Sequence, residues 1–227
     1  SNALTILPLA PSLILSRRFK PTRVLCTNSR PSRSGSGRQG ASALCDQVGS
    51  FLNSSAGYTL LVDRRNDPVR PTRGWTGTIR QDFAGIGGDV NYVKSETEVS
   101  AFWGITPAWI VTASASAGYV SGWGGDPIRI NDRFFKGGNS FRGFETAGMG
   151  PRDLDTTDAL GGNFYAIGTV ELTVPNYLPE QYGIKTSLFA DVGTLGVLDD
   201  RYKLTSTGTV DTTIADELSL RASAGVS

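Results

Sequence analysis

The segment RFFKGGNSFRGFE, from Arg133 to Glu145, gathers the residue types that could do recognition chemistry. Arg142 lies between Phe141 and the Gly143-Phe144 pair, with Lys136, Gly137 and Gly138 just upstream. Arginine offers five donors in a rigid fork, a shape suited to bridging two carboxylates, for which lysine is a poor replacement. Gly143 permits a tight turn or a positive φ, and Gly137-Gly138 permit a sharp bend. Asp153, in GPRD, is a further acid placed to brace such a loop. Two more acids stand out downstream: Glu171 in TVEL and Asp191 in FADVG. A carboxylate pair is also the equipment of a glycosidase. Against that, no sugar-platform tryptophans lie nearby and no nucleophile–base set for a hydrolase is visible. The chain has no His, which excludes histidine acid/base catalysis, His metal ligation and His pH switching within it. The basic residues Arg133 and Lys136 also read as ordinary solvated charges.

These residues sit among segments that alternate with period 2. Leu52, Ala56, Tyr58, Leu60 and Val62 share one face of residues 52–62, with Asn53, Ser55 and Thr59 on the other. Residues 75–83, 89–103, 108–120, 163–174, 184–192 and 217–227 repeat the pattern. In 108–120 the apolar face has aromatics at both ends, Trp109 and Tyr119, and small residues between. Glu171 and Asp191 both fall on polar faces. The connections 65–74, 104–107 and 175–183 read as short turns. On the opposite side lie 85–88, a long segment 121–161, and 193–215. Short turns on one rim and long loops on the other are the habit of outer-membrane barrels. Mid-strand Arg, Lys, Glu and Asp suit a wet lumen better than a dry core. The fold class expected is all-β: an antiparallel meander of about seven strands forming part of a transmembrane β-barrel. A soluble β-sandwich binding module, each strand with one solvated face, is the competing reading. Trp75, Trp103, Trp109 and Tyr119 read as interfacial belt anchors or as ligand aromatics. DRRNDPVRP reads as a periplasmic turn.

The 227 residues suffice for one domain or two small ones. A net charge of +1 makes no case for a nucleic-acid partner. No run of 18 apolar residues exists, which excludes a transmembrane helix but not a barrel. Ser1–Ala3 read as the scar of a cleaved tag. Residues 4–50 lack any period and are rich in Arg, Ser and Pro, so they read as an irregular or aberrant segment before the barrel part, 51–227. Cys26 and Cys45 are too few for a zinc cluster, and no bridge between them is expected.

The blocks RFFKGGNSFRGFETAGMGPRD, ALGGNFYAIGTVEL and GIKTSLFADVGTLG, in that order and spacing, resemble the BamA family of outer-membrane barrel-assembly proteins, in its alphaproteobacterial style. The resemblance covers roughly residues 50–227. It implies the eighth through fourteenth strands of a sixteen-stranded barrel, with residues 1–44 departing from the family pattern. It implies that the motif Phe141-Arg142-Gly143-Phe144 folds into the lumen and docks on Glu171 and Asp191, with Lys136, Gly137, Gly138 and Asp153 in support. The activity it implies is insertion of β-barrel proteins in the bacterial outer membrane, without covalent catalysis or cofactor. The implied partners of the full-length parent are unfolded outer-membrane clients, barrel-assembly lipoproteins, and the lipid or lipopolysaccharide membrane. A two-partner secretion pore of the same superfamily is the alternative. A wall section with two open edges is expected to self-associate.

Overall fold

The computed structural model describes residues 4–7, 52–85, 87–106, 108–154, 157–175, 186–199, 214–216 and 218–227. Its main element is one open antiparallel sheet. In spatial order it runs β1 (Leu4–Leu7), β2 (Ser55–Asp63), β3 (Arg73–Ala84), β4 (Tyr92–Gly104), β5 (Ile110–Gly122), β7 (Phe164–Val174), β8 (Thr186–Gly196) and β10 (Arg221–Val226). The remaining two strands, β6 (Arg152–Asp153) and β9 (Ile214–Ala215), pair with each other and tie the two long connections together. The strands β3 to β8 of the sheet are 11–13 residues long, enough to cross a bilayer core when tilted.

Register follows the alternation. Across β4, β5 and β7, Ala101 faces Ala113, which faces Val170; Glu98 faces Ser116, which faces Ile167. A one-residue slip would exchange every apolar and polar position, so burial of one face fixes the pairing. Outward positions stay exposed, among them Ile79, Phe83, Val99, Val170 and Leu188. The other face is covered by the connection between β5 and β7, which packs Ile128, Phe134, Phe141 and Met149 against inward-pointing Val120, Tyr165 and Leu195. The core is therefore a loop pressed on a wall. The second sheet among the described residues is the two-stranded β6–β9 pair, two residues per strand, too small to be the opposing layer of a sandwich.

Three boundaries differ from the alternation. The irregular reading of 4–50 allows no strand there, yet Leu4–Leu7 pairs with β2, Leu4 against Val62 through Leu7 against Thr59. Four residues, Leu-Thr-Ile-Leu, are too few to show a period, but they suffice to cover the exposed backbone edge of β2. Residues 193–215 are not loop throughout: β8 continues to Gly196, and Ile214–Ala215 form β9. The last strand is shorter than 217–227, running from Arg221 to Val226. Cys26, Cys45, Ile184, Lys185 and most of the 175–183 turn lie outside the described residues.

Candidate functional site

Arg142 projects from the loop onto the inner wall. Its Nε and Nη2 donate to the two carboxylate oxygens of Asp191, each at 3.0 Å, and its Nη1 donates to Glu171 Oε2 at 3.1 Å. Its backbone amide adds a longer bond to Asp191 Oδ2, 3.3 Å. One guanidinium thus spans β7 and β8, where Thr169 faces Asp191 and Glu171 faces Phe189 in register. Asp191 also takes a hydrogen bond from the Thr169 side chain. The two acids differ in setting. The Asp191 side chain is 3% exposed and that of Glu171 33%. The Asp191 pair is shielded from water, so it carries more of the docking energy than the half-solvated Glu171 pair. The hydrogen bond to Asp191 is the main cause holding the Arg142 guanidinium above its ordinary pKa, against the opposing effect of burial, with the bond to Glu171 adding to it.

The motif's other members pack the fork in place. Phe141 is buried and meets Phe144 edge-on, ring centres 5.1 Å apart. Phe189, inward on β8, lies under Arg142, 3.7 Å from guanidinium carbon to ring centre. Gly143 has φ of 84°, and an added Cβ would press on Ser223 of β10, so the turn that aims Arg142 favours glycine. Gly137 has φ of 139°, and a Cβ there would stand 2.1 Å from the Glu145 carbonyl oxygen. Its neighbour Gly138 starts a single 3₁₀ turn, Gly138–Ser140, and its amide donates to the Phe144 carbonyl.

A second station holds the same loop further along the wall. Phe134 meets Tyr165 edge-on at 4.8 Å. Lys136 Nζ lies 3.8 Å above the Tyr165 ring, and Lys94 Nζ 4.4 Å above Phe134. Lys94 also donates to the Asp132 carbonyl, and Tyr165 donates its hydroxyl to Glu96. Burial pushes the Lys136 ammonium below its ordinary pKa.

The structure therefore brings Arg142, Glu171 and Asp191 into direct contact, with Phe141 and Phe144 beside them. Lys136 lies apart from them and serves the second station, over the Tyr165 ring. Asp153 is not part of either cluster. It is buried in β6, where its backbone closes a turn with Thr157 and Asp158. Arg133 is not solvated; it is 4% exposed and donates to the carbonyls of Ile128 and Leu160. Sequence reasoning missed Phe189 and Tyr165 as site residues. Phe189 carried a signal, being an aromatic on the polar face of β8. Among the described residues no group of acids or cysteines is arranged to hold a metal ion.

An Omp85 superfamily domain matches residues 13–227. The match begins inside the stretch whose composition reads as aberrant, so part of that stretch belongs to the domain. The chain is 35% identical over 153 residues to outer membrane protein assembly factor BamA of Neorickettsia risticii, covering 67% of this chain and 20% of that protein. It is 32% identical over 165 residues to the sorting and assembly machinery component 50 homolog of Homo sapiens, covering 70% of this chain and 35% of that one. It thus spans 20% to 35% of these relatives' length. The fold matches the crystal structure of BamA from Haemophilus ducreyi lacking POTRA domains 1-3, with a TM-score of 0.61 at 23% identity over 76% of this chain and 35% of that chain. Open antiparallel wall, inward loop and family match agree: the chain belongs to the Omp85 superfamily, as a BamA-type section of outer-membrane β-barrel wall.

Proposed function

We propose that this wall section works in an insertase that folds and inserts outer-membrane β-barrel proteins, and that the Phe141–Phe144 loop is its internal strut. The observation that carries the strut is the Arg142 fork, which joins the loop to two adjacent strands at once. A strut of this kind does no covalent chemistry and needs no cofactor. It fixes the wall's curvature and keeps the loop in the lumen, while clients are templated on strand edges whose unpaired N–H and C=O groups accept a new strand. The partners are then unfolded outer-membrane clients and barrel-assembly lipoproteins in the full-length protein, with lipid or lipopolysaccharide around the wall. The relatives' names favour assembly over export, since both bacterial and animal ones are named for assembly.

In the full-length protein, Arg142→Glu is expected to abolish heat-modifiable gel mobility or slow client insertion at least tenfold, and Arg142→Lys to fall between it and the wild type. Wild-type behaviour of Arg142→Glu in both assays removes the strut. Export of a partner adhesin with no effect on client insertion would assign the chain to a secretion pore instead.

A further inference from the structure

Four arginines lie at the β2–β3 connection, Arg64, Arg65 and Arg70 in the turn and Arg73 at the first position of β3, and the fold treats them unequally. Arg65 is paired: its Nη2 lies 2.6 Å from Asp63 Oδ2 and its Nε donates to Oδ1. The turn's other acid, Asp67, accepts the backbone amides of Val69 and Arg70. Arg64 and Arg73 are exposed, and among the described residues neither guanidinium has a hydrogen-bond, ion-pair or ring partner. Both stand on the outward face. Arg64 extends β2 by one residue beyond Asp63, its amide bonded to the Trp75 carbonyl at 2.9 Å, and Arg73 faces Trp103 in register. Trp75 shares that face and lies over Gly77, where a Cβ would sit 3.2 Å from its ring. A shallow groove of about 600 Å³ is lined by Arg73, Trp75, Val99, Ala101 and Trp103.

We propose that Arg64, Arg73, Trp75 and Trp103 form a binding site for the headgroup of an anionic phospholipid at the short-turn rim of the wall. The charge complementarity is specific: the turn's acids are engaged elsewhere, leaving two guanidiniums for a phosphate diester, which arginine binds through paired donors. Both tryptophans lie at a strand end, where indoles sit at headgroup level. The apolar groove below them continues onto the outward face, so the acyl chains lie against Val99 while the phosphate stays at Arg73. An acidic segment of a soluble protein would match the arginines but would leave this lipid-facing groove empty. The inference rests on the outward face meeting lipid, not on insertase activity.

The test uses the full-length protein in vesicles of phosphatidylcholine, doped with either brominated phosphatidylglycerol or brominated phosphatidylcholine. Bromine quenches nearby indoles, and a Trp75→Phe, Trp103→Phe variant gives the background from other tryptophans. The expected result is stronger quenching by the anionic lipid, weakened about fivefold in apparent lipid preference by each of Arg64→Gln and Arg73→Gln. Arg65→Gln should leave the preference intact. Arg73→Lys should retain more of it than Arg73→Gln, which separates charge loss from misfolding. Equal quenching by the two lipids, or a preference that survives the double Gln variant, overturns the site. Displacement of the brominated anionic lipid by a soluble acidic peptide overturns the lipid as occupant. No quenching by either lipid at these indoles overturns the membrane placement of the face itself, a failure distinct from loss of headgroup preference.

Discussion

Arg142 is divided between two acids that water treats differently, and this sets the rank of its contacts. Asp191 is deeply buried and holds two arms of the fork, so removing its charge takes away the contacts that water reaches least; Glu171 is a third exposed, and water replaces much of what it gives. Asp191→Asn is therefore expected to destabilise the docked loop by about 2–3 kcal/mol, and Glu171→Gln by under about 1 kcal/mol. Urea titration of the full-length protein in micelles, followed by loop proteolysis, measures both; equal effects would mean the two acids share the load. The inward placement of the two acids was legible because charges on alternating strands declare their face, whereas their meeting with Arg142 was implied by the family resemblance alone. Phe189 was not legible, since an aromatic at one polar position looks like a break in pattern until a cation is seen above it. The burial of Arg133 is not legible, because nothing in its neighbours' types reveals two backbone carbonyls turned toward it.

At the scale of elements, the loop and the wall fit through one missing side chain. Gly118 on β5 sits beneath the Phe134–Tyr165 pair, and an added Cβ would lie 2.3 Å from Tyr165 and 2.9 Å from Phe134. Gly118→Val is expected to lift the loop off β5, costing about 1–3 kcal/mol and exposing the segment around Lys136 to protease while leaving strand content unchanged by circular dichroism. Asp132, at the foot of the same station, has its pKa raised above the ordinary 3.8, chiefly by burial, with Lys94 and Arg129 opposing. A raised carboxyl binds its proton more tightly when the loop is docked. Docking should therefore strengthen as pH falls through that raised value, with the full gain reached below the ordinary 3.8. Protease protection measured across that window should rise toward acid in the wild type and flatten in Asp132→Asn. The seven long strands could be read from periodicity because each repeats it over many residues. β1, β6 and β9 could not: two to four residues hold no period, and β6–β9 pairing depends on where two loops meet in space.

The whole molecule is a sheet without closure. β1 and β10 end it on either side, and each carries a row of backbone donors and acceptors facing no further strand among the described residues. Its outer surface leaves Ile79, Phe83, Trp103, Val170, Leu220 and Val226 exposed. Period-2 alternation foretold the apolar face but not its open edges, since alternation reads the same in a closed barrel and an open wall. A soluble sandwich of this length would bury such a face against a second sheet. Here the loop is the only cover among the described residues, and it lies on the opposite side. Two unprotected edges and a continuous apolar face drive association by strand pairing and by burial together. The isolated 227-residue chain is accordingly expected to form large assemblies in detergent-free buffer and to disperse in micelles with its β-sheet signature retained. Light scattering with circular dichroism, with and without detergent, checks both halves. A monodisperse, cooperatively melting monomer in plain buffer would contradict the wall, because a single-layer sheet with this outer face has no means of staying alone in water.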